Sequence, residues 1–317
     1  MRDLLFASAA VHEIPNTLDA SAILRAVRKQ PEAARALTVS IVGAGNLGTA
    51  LALTLPGAGC EVKFVVTRTK DSGPSTKAIA RQLKARLVEL GKEPLDTDLV
   101  WITVPDDSIA QVARKLAGAQ DWRRAIVFHS SGALTSDELA PLRARGARVA
   151  SVHPMMTFVR GSVPKMAGAA FAVEGDAVAR RAARQIVERL GGDVFPIRKQ
   201  NKVLYHAFGS FASPLVIALM ASLEQVALAA GVRKQDIKPV MLPLLGQTLR
   251  NYLEHDAASA FSGPLARGDI ATVRKHLQEL ENVPEAREVY IALAKSAVKN
   301  LPVRNREAVE RELRNRK

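Results

Sequence analysis

The 317-residue chain is 48% hydrophobic and 24% charged, an ordinary balance for a globular protein with room for two domains. One cysteine, Cys60, excludes an intramolecular disulfide framework and argues against a zinc cluster, so no metal is expected; aromatics at 4% argue against a base-stacking nucleic-acid platform. The formal charge of +14 points to an anionic cofactor or substrate, or simply to a basic surface; without a long basic run or a DNA-binding motif, nucleic acid is not expected.

The longest apolar stretch, 208–223, is interrupted at Ser213-Pro214 and is shorter than a bilayer crossing, so no membrane span is expected and a cytoplasmic protein is. Residues 1–36 form an extension with a short helix over 19–29 and no assigned chemistry. The main motif begins at residue 37. Residues 37–52 read LTVSIVGAGNLGTALA, a β-branched strand, a glycine turn and an Ala/Leu-rich helix. This is the G-x-G-x-x-G arrangement of a dinucleotide site. Gly43 permits the turn, Gly45 lets a diphosphate approach, and Gly48 lets the helix pack on the strand. Ala44, Asn46 and Leu47 complete the candidate phosphate loop, whose amides face the ligand at the helix N-terminus.

A second strand over 61–67 ends in Thr67-Arg68-Thr69-Lys70. NAD sites carry an acidic residue here for the ribose 2′-hydroxyl. Hydroxyls and cations suit a 2′-phosphate, so NADP is expected over NAD, the other reading being a solvated basic turn. A helix over 76–85 and a short strand over 86–90 follow. The strand over 98–104 runs into Val104-Pro105-Asp106, placed at the edge of a cofactor cleft; Asp106 or Asp107 could equally cap the next helix. The strand over 125–129 precedes Ser130-Ser131-Gly132. Its serines could hold a substrate carboxylate or the nicotinamide amide, or cap a helix near Leu134.

Alternating strands and helices imply an α/β fold, a Rossmann-type doubly wound parallel sheet with ligands at the carboxyl ends of the strands. A strand over 148–152 ends at His153-Pro154, where His153 could serve as general acid or base or as a structural residue of the turn. A strand over 169–174, a helix over 176–190 and a strand over 193–196 complete this layer.

Beyond residue 200 strand patterns stop, dividing a nucleotide domain (37–200) from an all-helical one (201–317). Helices are expected over 201–230, 234–255, 270–280, 284–299 and 304–316. In the first of these, Lys202, His206, Gly209 and Ser213 share one stripe, while Val203, Leu204, Phe208, Phe211 and Leu215 read as core. The stripe either lines a cleft or is a solvated helix start. In FSGPLARGD (261–269), Arg267 could bind a carboxylate through two hydrogen bonds, and Asp269 reads as an N-cap.

VGAGNLGTALA, ITVPDDSI, FHSSGAL, SVHPMMTF, KVLYHAFGSFAS and FSGPLARGD occur in that order. Together they resemble, over about residues 37–295, a family of Rossmann-like proteins whose helical half is a domain of unknown function, number 2520. The wider group is similar to 6-phosphogluconate dehydrogenase, ketopantoate reductase, pyrroline-5-carboxylate reductase and prephenate dehydrogenase. The resemblance implies an NADP-dependent oxidoreductase whose 6-phosphogluconate-dehydrogenase-like helical domain supplies a homodimer contact and one wall of the active site. The H-P-M turn is like that of prephenate dehydrogenases, where the histidine contacts substrate. Lys202 occupies a place similar to a lysine of the ketopantoate and phosphogluconate enzymes. Ser213-Pro214 departs from the family's Ser-Asn; the proline crowds the Ser210 carbonyl, so a kink is expected.

The expected activity is hydride transfer between NADP and a small oxo or hydroxy acid, or an imine. His153, Lys202 and His206 are the catalytic candidates, and Ser130, Ser131, Ser213 and Arg267 would bind a carboxylate substrate. A non-catalytic NADP-binding sensor or interaction protein is the alternative.

Overall fold

The computed structural model describes residues 35–69 and 73–314. The helix expected over 19–29, and Lys70, lie outside these residues. The chain divides into two compact units, one ending at Ile197 and one beginning at Arg198.

Among the described residues the first unit is built on eight strands: β1 (Leu37–Val42), β2 (Cys60–Thr67), β3 (Arg86–Glu89), β4 (Leu99–Ile102), β5 (Ile126–His129), β6 (Arg148–Pro154), β7 (Ala170–Gly175) and β8 (Asp193–Pro196). They lie in the order β3-β2-β1-β4-β5-β6-β7-β8. Helices α1 (Asn46–Thr54), α2 (Pro74–Gln82), α3 (Asp106–Ala117), α4 (Ala140–Arg143) and α5 (Ala177–Arg189) connect or flank them. The order reverses on the two sides of β1, so the chain leaves β1 and β4 in opposite directions and opens a crevice at their carboxyl ends.

Strand alternation builds two cores. Val39, Ile41 and Trp101 face one layer, while Val42, Val100 and Ile102 face the other. Trp101 meets Phe128 edge to face with ring centroids 5.4 Å apart. All four residues of β4 are buried, as a central strand covered on both sides requires.

The sheet is not parallel throughout. β6 and β7 pair antiparallel, and β7 and β8 pair parallel. The segment between β6 and β7 contains no helix to carry the chain back across the sheet, and Met155 N–H already donates to Ala170 O at 2.8 Å. The chain therefore doubles back, whereas α5 makes the crossover from β7 to β8. β6 also runs two residues further than expected, taking His153 and Pro154 into the sheet.

Asp98 ties the starts of β1 and β4 together. Its carboxylate accepts from Thr38 N at 2.9 Å and Thr38 Oγ1 at 2.7 Å. Burial pushes the Asp98 pKa upward, but the Thr38 bonds and the charges of Arg35 and Lys63 outweigh it and hold the carboxyl below its ordinary value. A depressed folded-state pKa contributes stability at pH values above the unfolded pKa, lost as pH falls through the folded one. Asp98→Ala is expected to cost about 1–3 kcal/mol at pH 7, read by urea unfolding, because it orphans the Thr38 amide. The gap to wild type should narrow below about pH 4; a gap independent of pH would contradict this account.

The second unit contains α6 (Lys202–Ala212), α7 (Pro214–Ala229), α8 (Lys234–Glu254), α9 (Ala257–Ala260), α10 (Pro264–Arg267), α11 (Ile270–Glu279), α12 (Pro284–Asn300) and α13 (Arg306–Arg314). Its core is small, with Val273, Leu277, Ala294, Val298, Val309 and Leu313 joining α11, α12 and α13. The expected single helix over 201–230 is two. Ser213 leaves the helical region at φ −135° and ψ −82°, and Pro214 starts α7, where its missing N–H costs nothing.

Two expectations change here. The pattern marks Val203, Leu204, Phe208, Phe211 and Leu215 as core, yet they are exposed, Leu204 at 77% and Phe211 at 71%. Amphipathic spacing identifies an apolar face but not what covers it, and this unit's core is too small to cover this one. The helical run Lys199–Ala229, though broken at Ser213, is also long and apolar enough by length and composition to cross a bilayer. The run extends beyond 208–223 on both sides.

Candidate nucleotide site

Three glycines shape the turn after β1, each for a different reason. Gly43 has φ +100°, and an added Cβ would lie 2.9 Å from Val104 Cγ1. Gly48 faces inward: a Cβ there would lie 1.9 Å from Gly43 O and 2.5 Å from Thr103 Oγ1. Thr103 Oγ1 donates to Gly43 O at 2.7 Å, bracing the turn against the end of β4. Gly45 has an ordinary extended backbone, φ −72° and ψ −169°, and nothing lies within 4 Å of where its Cβ would be. Gly45 is also the N-cap of α1 and has no side chain to cap the first amides at the positive end of the helix.

That space continues into a cleft of about 550 Å³. Its walls are the glycine turn (Gly43, Ala44, Gly45), the end of β2 (Thr67, Arg68), Val104-Pro105 and one face of α3. Among the described residues lining it there is no carboxylate, and two are cations, Arg68 and Lys115. Gly43, Ala44, Gly45, Thr67, Arg68, Val104 and Pro105 thus come together as one wall system. Leu47, Gly48 and Thr69 are not among its lining residues; the Thr69 carbonyl accepts from Thr67 Oγ1 at 2.8 Å.

The α3 face was missed. Ser108, Gln111, Val112 and Lys115 line the cleft at spacings i, i+3, i+4 and i+7. That spacing is present in the sequence after V-P-D, but polar residues on one side of a helix read equally well as a solvated face.

Asn46 and Asp106 also take other roles. Asn46 Nδ2 donates to Phe158 O at 2.9 Å, pinning the loop after β6 to the first turn of α1. Neither Asp106 nor Asp107 caps α3, whose N-cap is Pro105. Asp106 instead accepts from Ser131 Oγ at 2.7 Å, and Asp107 from Ser108 Oγ at 2.9 Å.

The H-S-S-G turn after β5 is braced internally. Ser130 Oγ accepts the Trp101 indole N–H at 2.8 Å, and Ser131 Oγ accepts Leu134 N–H at 2.9 Å while donating to Asp106. The buried His129 accepts Ser131 N–H at Nδ1, 3.1 Å, which leaves Nε2–H to donate to Thr135 O at 2.9 Å. Both serines are buried and Gly132 with them. The following helical turn is capped by Thr135, which accepts from Asp137 N, not by either serine. Sequence shows hydroxyls at a strand end, but not that a tryptophan and an aspartate reach them first.

His153 is half-buried and lies in β6 opposite Ala172 of β7, within the sheet and not in a turn.

In the helical unit, Lys202 is fully buried and Tyr205 nearly so, and burial pushes the Tyr205 hydroxyl up to about 12. His206 is exposed, and Ser213 sits half-buried at the α6–α7 break. The stripe from Lys202 to Ser213 therefore does not have one environment. Arg267 is exposed at the end of α10. Asp269 is the N-cap of α11, accepting from Thr272 N at 3.0 Å, and the Thr272 bonds hold its carboxyl below the usual range. Gly268 has φ +65°, and a Cβ there would lie 2.2 Å from Arg304 O.

Residues 26–154 match the model of the Rossmann-like domain, and residues 169–297 match that of the Domain of unknown function DUF2520. No curated protein matches the chain in sequence. Among solved structures, the chain is similar to a candidate NADP oxidoreductase of Bacteroides fragilis, at 21% identity and TM-score 0.69, covering 83% of this chain and 98% of that one. A Thermotoga maritima protein matches at 24% identity and TM-score 0.64, covering 86% and 99%. An imine reductase of Myxococcus stipitatus in complex with NADP+ matches at 17% identity and TM-score 0.61, covering 87% and 99%.

Proposed function

We propose, from the premise that this chain is a Rossmann-like domain followed by a DUF2520 domain, that it is an NADP-dependent oxidoreductase acting on a small oxo or hydroxy acid or an imine. The observation that carries this reading is the cleft beside Gly45. It sits at the reversal point of the sheet, is roomy at the helix N-terminus, and has Arg68 where a carboxylate would favour the unphosphorylated ribose. The NADP+ complex of the Myxococcus enzyme, of the same fold, adds support.

In this reading the α1 amides hold the diphosphate, and Thr67 and Arg68 face the phosphorylated ribose. The nicotinamide, when bound, supplies or takes up the hydride. We assign proton transfer to His153 and charge stabilisation to Lys202, with Arg267 as a contact for a substrate carboxylate. Ser130 and Ser131 act through the turn they brace.

The test is titration with NADPH and NADH by fluorescence, then a screen of 2-oxo acids and cyclic imines followed by absorbance. NADPH is expected to bind at least tenfold more tightly than NADH and to be oxidised by a member of the panel. Binding of neither nucleotide defeats the proposal; binding without turnover across the panel favours the sensor reading.

We also propose that the protein works as a homodimer through the helical unit. Support comes from the uncovered faces of α6, α7 and α8, which carry Leu204, Phe208, Phe211, Ile217, Leu244 and Leu253. An apolar groove of about 590 Å³ between α7 and the α11–α12 pair adds to that surface.

A further inference from the structure

The turn after β2 places one cation, Arg68, on the cleft. The opposite wall of the cleft carries a second cation. Lys115 lies on the third turn of α3, seven residues after Ser108, or about 10 Å further along the helix. Ser108 is near the V-P-D end that borders the glycine turn, so Lys115 marks the far end of the cleft from the diphosphate cradle.

The path of its stem is defined. Gly91 has φ +74°, and a Cβ there would lie 3.1 Å from Lys115 Cγ and 3.3 Å from Cε. The Lys115 chain therefore lies along the bare backbone of Gly91. The neighbouring Leu90 is part of the cleft lining, and its N–H donates to Thr67 O at 2.8 Å. Thr67 is joined directly to Arg68. Two hydrogen-bonded strand ends thus bring a lysine from α3 and the arginine just after β2 to the lining of one cleft. Neither takes part in an ion pair among the described residues.

We propose that Lys115 is a specificity-determining residue that, with Arg68, clamps a phosphomonoester on the ribose of the adenosine half. The guanidinium supplies paired, directional donors, and the ammonium supplies a point charge from the facing wall. Gly91 is part of the device, since its missing side chain gives the lysine stem its bed. Two cations, with no carboxylate among the described lining residues, favour a dianion there, while a free ribose hydroxyl gains little from either.

This proposal rests on the cleft being an NADP site, and the experiment separates the two. Lys115→Met keeps the apolar stem over Gly91 and removes the charge; Lys115→Gln is the second variant, and thermal melting checks that both fold. NADPH and NADH dissociation constants are measured for each variant and for wild type. The expected result is a loss of NADPH affinity of about tenfold with NADH changed less than twofold, and a shallower salt dependence for NADPH. Equal weakening of both nucleotides, or no change in either, overturns the clamp while leaving the NADP site standing. Wild-type protein that binds neither nucleotide overturns both.

Discussion

Gly48→Ala is expected to lower stability by about 3 kcal/mol or more, and Gly45→Val to leave stability within about 0.5 kcal/mol of wild type while weakening NADPH binding at least ~100-fold. The two glycines look alike in the motif, but the structure gives them opposite tasks. At position 48 the added methyl would meet a backbone carbonyl at 1.9 Å and the Thr103 hydroxyl that braces it. Neither is the end of a flexible chain, so α1 must lift off β1. At position 45 the backbone is in a region open to any residue, and the new side chain points into open space. It costs the folded protein little, and shortening the menu of unfolded conformations offsets part of that. Only a ligand needs that space. Urea unfolding and NADPH titration of both variants check the pair. A Gly45→Val protein that still binds NADPH normally would mean the diphosphate does not sit there.

Phe211→Asp is expected to convert a dimer into a monomer at micromolar concentration. Phe211 is 71% exposed on α6 beside other uncovered apolar side chains. Burying one such side chain contributes about 1.5–3 kcal/mol. In a two-fold dimer every substitution acts twice. The loss is then about 3–6 kcal/mol before counting the two carboxylates, a shift of at least ~100-fold in the dimer dissociation constant. Sedimentation velocity over a concentration series reads it directly. Wild-type protein that sediments as a monomer, or that moves onto lipid vesicles, would defeat the dimer and turn attention to the bilayer-length run of α6 and α7.

Local rules carried much of this fold. The glycine turn, the β-branched runs and the break at Pro214 are written in neighbouring residues, and β8 occupies the four positions its pattern marks. What escaped depends on residues far apart in the chain. Nothing near His153 indicates that β7 will return antiparallel beside it. Ser131 looks available until Asp106, twenty-five positions earlier, is found against it. The exposed side of α6 is indistinguishable in sequence from a buried one, because periodicity reports a face and not its cover. Lys115 is illegible for a related reason: one cation on a helix face has meaning only once Arg68 and Gly91 are placed around the same cleft.

The strand order has a last consequence, for how copies of this protein avoid sticking together. Among the described residues the sheet ends in β3 on one side and β8 on the other, each only four residues long. β3 carries Arg86 and Glu89, and β8 opens with Asp193 and closes with Pro196, which has no amide proton to offer. Such margins make poor templates for an incoming strand. Cross-molecule strand pairing into fibrils is disfavoured at both borders.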